Sequence, residues 1–149
     1  MTEIGFYHLT RTPLANALPK LLERVLAAGK RALVRAGSPE RVEFLNAALW
    51  TYDPASFLPH GTAREGEAPD QPIWLTAGDD NPNGAQILVL TDGMAAGDLA
   101  GWERCLEMFD GNDPAAVEAA RARWQAYKEG GHALTYWQQT ERGGWEKKA

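Results

Sequence analysis

Apolar positions in this chain fall into two patterns, short continuous runs and longer stretches spaced three and four apart. They predict strands and helices in alternation. Residues 4–9, Ile-Gly-Phe-Tyr-His-Leu, read as a first strand enriched in aromatic and branched side chains. Residues 13–28 read as a helix, with Leu14, Leu18, Leu21, Leu22, Val25 and Leu26 at helical spacing and Gly29 closing the run. Pro19 lacks an amide proton and breaks or kinks a helix interior, so the regular part is expected to begin near it. Residues 31–35 predict a short buried strand. Ser38-Pro39 then supplies an N-cap and a first-turn proline, opening a helix through Phe44, Leu45, Ala48 and Leu49. Trp50, at the end of that helix, is expected in the core.

Residues 51–72 carry several prolines and no clear period, and a connection of that length in a compact domain is usually functional or mobile. Residues 73–76 predict a third strand. Residues 86–91 predict a fourth, apolar through its centre as in the middle of a parallel sheet covered on both faces. Residues 92–101 read as loop, and residues 102–109 as a fifth strand in preference to a short helix. The last helix is the clearest: Asp113-Pro114 opens it, residues 114–129 hold no internal Gly or Pro, and Gly130-Gly131 stops it. This order argues for an α/β sandwich with helices on both faces of a mainly parallel sheet. One domain over residues 1–149 is expected, with residues 141–149 frayed.

Composition narrows the function classes. The chain is 44% hydrophobic and 23% charged, with a net charge of −5. Residues 1–113 hold 9 Lys/Arg against 16 Asp/Glu, whereas residues 114–149 hold 6 against 4 and include Trp124, Trp137 and Trp145. An acidic body argues against direct, tight binding to a DNA backbone, which needs clustered cations. No apolar run approaches the roughly 20 residues that span a bilayer, and residues 1–6 lack the basic start of a signal peptide. The single cysteine, Cys105, excludes an internal disulfide and thiolate metal sites, which fits a cytoplasmic expectation.

Chemistry concentrates on the last helix. Ala116, Ala120 and Tyr127 make one stripe suited to packing on a sheet. Arg121, Trp124, Gln125 and Lys128 share a second face, able to receive an anion attached to something apolar. On the residues alone a plainer reading stays open, in which Trp124 packs partly into the core while Arg121 and Lys128 are merely solvated.

Enzyme motifs are missing where an α/β order would put them. The first strand leads into His8-Leu-Thr-Arg-Thr-Pro13, with neither Gly-x-Gly-x-x-Gly nor a phosphate-loop Gly-Lys-Ser/Thr, so no nucleotide cofactor is expected. His8, His60 and His132 lie far apart, and none has a His or Cys at metal-ligand spacing. Asp53, Ser56 and His60 resemble a triad in composition only, and Cys105 reads as a core thiol. No enzyme activity is expected. Two other readings are carried: a small ligand-binding or hydrolytic domain using the loop around His60, and a direct DNA-binding module.

Three segments together resemble the chi subunit of bacterial DNA polymerase III nearly end to end: Phe6-Tyr7-His8-Leu9, Ala48-Leu49-Trp50 followed by Ser56-Phe57-Leu58-Pro59-His60, and residues 120–128, Ala-Arg-Ala-Arg-Trp-Gln-Ala-Tyr-Lys. The resemblance implies a Rossmann-like fold without a nucleotide site. It also implies a non-catalytic adaptor that holds the acidic C-terminal tail of single-stranded DNA-binding protein and links it to the clamp loader, touching DNA only indirectly. Carried over, the tail pocket has its arginine at Arg121 and its aromatic at Trp124, where tyrosine is common. Val117 and Gln125 stand where some members have lysine, so Arg123, Lys128 or Lys147-Lys148 would have to make up the charge. A second family surface, for the small psi subunit, corresponds to Trp50 and Phe57.

Overall fold

The computed structural model describes residues 2–51, 60–62, 71–78, 81, 83–94, 96, 97, 99, 101–142 and 144–148. Its elements are β1 (Glu3–Leu9), α1 (Leu14–Ala27), β2 (Ala32–Arg35), α2 (Pro39–Thr51), β3 (Gly61–Thr62), β4 (Ile73–Thr76), β5 (Ile87–Leu90), β6 (Arg104–Asp110), α3 (Pro114–Glu129), β7 (Ala133–Gln139) and β8 (Trp145–Lys147). They form one eight-stranded sheet in the order β3-β4-β2-β5-β6-β1-β7-β8. Every pairing is parallel except β7 with β8.

Helices cover both faces, as the apolar runs predicted. Tyr7, Leu9, Val34, Leu75, Val89 and Met108 point to the side of α1 and α2. Their neighbours Ile4, Phe6, Leu33, Leu88, Leu90, Cys105 and Phe109 point to the side of α3. All four residues of β2 and of β5 are buried, which is why β5 runs apolar without alternation and β2 does so as far as Arg35, whose buried guanidinium donates to the Ala96 carbonyl at 3.0 Å. The result is a three-layer α/β sandwich.

Four expectations need correction. The helix of residues 13–28 does not wait for Pro19: α1 starts at Leu14 and carries Pro19, buried, in its interior. The proline forfeits a hydrogen bond to the carbonyl four residues back, at a cost of roughly 3 kcal/mol. Burial of Ala17, Leu18, Leu21, Leu22 and Val25 on the same face offsets it. Trp50 is not in the core, being 55% exposed on α2. A strand at residues 133–139, not anticipated, pairs in parallel with β1 from Glu3↔Ala133 to His8↔Gln138. Finally, within the segment expected to fray, residues 145–147 pair with that strand, and Trp145 meets Tyr7 edge-on at 5.2 Å. The Ser38 cap stands as expected, its hydroxyl accepting from the Arg41 amide at 3.2 Å.

Candidate functional site

The helix that concentrates the chemistry is fixed at both ends by its own sequence. Asp113 accepts from the Ala115 amide at 3.0 Å, Pro114 occupies the first turn, and Gly131 leaves the last turn at a φ of 82°. Ala120 is the one residue of α3 that is fully buried. Around it Val117, Trp124 and Tyr127 are half-buried against the Ile4–Phe6–Phe109 cluster. Trp124 meets Phe6 at 5.3 Å and Tyr136 at 5.8 Å, both edge-on, so its ring forms a wall between helix and sheet. Ala116 is less buried than Ala120, and the packing stripe is centred on Val117, Ala120, Trp124 and Tyr127.

The six positions proposed for an acidic tail divide into three kinds. Arg121, Gln125 and Lys128 are exposed. Trp124 and Val117 are half-buried beside them. Arg123 turns the other way and is ion-paired with Glu107, a residue of β6 that is 1% exposed. Burial pushes the Glu107 carboxyl up from its ordinary value, and the Arg123 guanidinium pulls it back only in part. Its second oxygen is buried with no hydrogen-bond partner among the described residues. Arg123 therefore pins α3 to the sheet and has little left to offer a ligand. Gln125 donates to Glu129 at 3.2 Å. Arg121 and Lys128, three residues before and four after Trp124, are left as the exposed cations of this face.

Two further residues lie beside this face, and the sequence reading assigned neither to the site. His8 Nδ1 lies 2.5 Å from the Tyr136 hydroxyl, across the β1–β7 pairing. Burial lowers the His8 pKa, and the Arg121 charge lowers it further. Burial raises the Tyr136 pKa, and Arg121 opposes that rise. Helix and strand thus bring Arg121, Trp124, Tyr136 and His8 together along the edge of α3 that faces β7.

A separate crevice of about 720 Å³ opens at the C-terminal ends of β1 and β6, between the first turns of α1 and α3. This is where doubly wound sheets bind phosphates, because the strand order switches direction there. In this chain the backbone amides that follow β1 there are already engaged. The amides of Thr10, Arg11 and Thr12 all donate to Gln139 Oε1, at 3.2, 2.8 and 3.0 Å. Gln139 Nε2 donates in turn to the Thr12 hydroxyl at 2.7 Å. A carboxamide from the end of β7 occupies the nest that an anion would use.

With that geometry in place, the family model described as DNA polymerase III chi subunit, HolC, matches residues 1–135. The chain belongs to the DNA polymerase III chi subunit family.

The chi family is a replication accessory subunit. One relative, the probable DNA polymerase III subunit chi of Rickettsia prowazekii, is 30% identical over 90 residues, covering 60% of this chain and 54% of that protein. The chain thus spans about half the length of that relative. The DNA polymerase III subunit chi of Pseudomonas aeruginosa is 25% identical over 137 residues, 90% of this chain and 94% of the relative. Both are named as polymerase subunits. The chi match ends at residue 135, so Tyr136 and Gln139 lie just past it.

On α2, Trp50 packs over His60 at a centroid distance of 4.6 Å, and Arg41 lies 4.8 Å above the ring of Phe44, itself 51% exposed. His60 is 6% exposed. Phe57, Asp53 and Ser56 lie outside the described residues. Among the described residues no group of three His, Cys, Asp or Glu could hold a metal, and no helix is long and apolar enough to cross a membrane.

Proposed function

We propose that this chi-family chain grips the acidic C-terminal tail of single-stranded DNA-binding protein in the groove between α3 and β7, and links it to the clamp loader without catalysing a reaction itself. The observation that carries the reading is Arg121, exposed on α3 beside the half-buried Trp124 wall. A tail ending in an aromatic residue and a free carboxylate needs these two features, a fixed cation and an apolar face. One buried ring contributes roughly 1.5–3 kcal/mol and each charge-assisted hydrogen bond about 1.5–3. Less the ordering of the tail, that suits a micromolar association near about −8 kcal/mol. With Arg123 engaged by Glu107, the pocket is less basic than the helix sequence suggests, and salt weakens binding only mildly.

The exposed aromatics of α2 support a second surface. Trp50 and Phe44 are large, apolar and open to solvent, which suits a partner helix of the psi type better than a free surface. The hydrolytic alternative loses support, because the His60 ring is buried beneath Trp50 and out of a substrate's reach.

The deciding experiment is a titration with an acidic peptide ending in Pro-Phe, followed by tryptophan fluorescence or calorimetry, with the C-terminus free or amidated. Micromolar binding that amidation weakens at least tenfold is expected. Equal binding of the two peptides would remove the carboxylate from the reading.

A further inference from the structure

We infer that the Tyr136 hydroxyl is a second recognition group for the bound carboxylate beside Arg121, and that protonation of His8 turns this hydroxyl from an acceptor into a donor toward the ligand. The inference rests on the tail-binding reading of the same groove. Which ring nitrogen of His8 carries the proton decides what the phenol can do. The Nε2 side of the ring lies against Gly111, so close that a Cβ there would clash with it. The Gly111 backbone beside Nε2 favours the protonated ring, as a carbonyl facing a ring N–H does. The neutral ring therefore holds its proton on Nε2 and offers Nδ1 as an acceptor.

With His8 neutral, the phenol proton of Tyr136 points into Nδ1 across the 2.5 Å contact. The phenol then shows the groove only lone pairs, which repel a carboxylate. When His8 takes a proton from solvent, Nδ1–H donates to the phenol oxygen, and the phenol proton is released to donate outward. One proton enters and no other bond is broken. A second positive charge also arrives close to Arg121.

The groups facing His8 come from three elements. Arg121 on α3 disfavours the charged ring, Asp110 at the end of β6 favours it, and Tyr136 on β7 is neutral. Burial weighs more than any of them and lowers the His8 pKa, so the unliganded ring is neutral near neutral pH. A carboxylate bound at Arg121 cancels the charge that opposes protonation. Ligand binding and proton uptake are therefore coupled, each favouring the other.

The test uses the whole chain and the acidic Pro-Phe peptide, at about pH 7.5 and about pH 5.5. The peptide carboxylates stay ionised across that range. The unmodified protein should bind about three- to tenfold more tightly at the lower pH, the gain being set by how far the bound peptide raises the His8 pKa. Tyr136→Phe should lose most of that gain, binding more weakly than the unmodified protein at the lower pH but not at the higher one, and His8→Asn should give a flat profile. NMR titration of the His8 ring in the unmodified protein should show its pKa rising when peptide is present, whatever the variants do. A His8 pKa indifferent to the peptide, or an equal pH gain in His8→Asn, overturns the inference while leaving the tail reading in place. Failure of the peptide to bind at either pH overturns both.

Discussion

Replacing Gln139 by Leu keeps most of the side-chain volume and removes the one oxygen on which three consecutive amides converge. The geometry fixes the amide orientation, since three N–H donors at 3.2, 2.8 and 3.0 Å can face only the oxygen. A fourth bond runs from Nε2 to the Thr12 hydroxyl. At about 1 kcal/mol net for each bond the loss would be roughly 4 kcal/mol. Two effects reduce it. The three donors share a single acceptor, and Arg11 is exposed, so water can reach part of the nest after the substitution. Leucine at a site 5% exposed also recovers about 1 kcal/mol of burial. The expected destabilisation is about 2 kcal/mol. Urea unfolding followed by tryptophan fluorescence should show it as a midpoint lowered by about 1 M with an unchanged slope. Gln139→Glu is the counterpart. A carboxylate accepts the same three amides, the Thr12 hydroxyl rotates to donate to it, and its pKa should be held below the usual carboxylate value. Its contribution is then present at neutral pH and lost as pH falls through that depressed pKa. A midpoint for Gln139→Leu within about 0.3 M of the unmodified protein, or Glu destabilising as much as Leu, would refute the claim that an acceptor is what the loop requires.

Arg121→Ala should weaken the acidic peptide at least tenfold while leaving the urea midpoint unchanged, because the side chain is exposed; unchanged affinity would move the site elsewhere. Glu107→Gln tests the buried pair. The folded carboxyl has a raised pKa, chiefly from burial, so its favourable contribution is fullest below the unfolded value and is lost as pH rises through the folded one. The Gln variant should therefore gain on the unmodified protein as pH rises above about 4, the unfolded carboxylate value, and the opposite trend would mean that Arg123 outweighs burial. Burial, aided by the Glu107 charge, pushes the Cys105 thiol up to about 12, so it should react with a disulfide reagent only as fast as the chain unfolds. Trp50→Ala should leave the stability curve within about 0.5 kcal/mol, as for other exposed positions, yet remove any partner captured through α2.

What could be read from the sequence was what local pattern determines. Both ends of α3 follow from Asp113-Pro114 and Gly130-Gly131, the fully buried strand β5 follows from an unbroken apolar run, and β2 follows from Ala32-Leu33-Val34. Pro19 was misjudged because a rule for the missing amide says nothing of what burial of the rest of the helix returns. The strand β7 escaped notice because its residues are mostly half-buried on both faces, so neither strict alternation nor a solid apolar run marks it. Its existence depends on β1, more than a hundred residues earlier, which supplies the pairing. The same separation hid half of the groove. Arg121 and Trp124 sit one turn apart on a helix and can be read together. Tyr136 reaches His8 and Gln139 reaches Thr10 only across the sheet.

Those two long-range contacts bear on why the groove lies where it does. Tyr136 and Gln139 are three residues apart on one strand, and their partners His8 and Thr10 lie at the end of β1 and just beyond it. Gln139 engages the amides of the switch-point nest with an uncharged group of the chain's own, so those three donors are not free for an anion. Tyr136, from the opposite face of the same strand end, meets Trp124 and comes under the charge of Arg121, where the sheet extends past α3 and no helix among the described residues covers it. At this outer edge Arg121 offers an anion a fixed cation. Placed there, it can remain attached to a long partner chain.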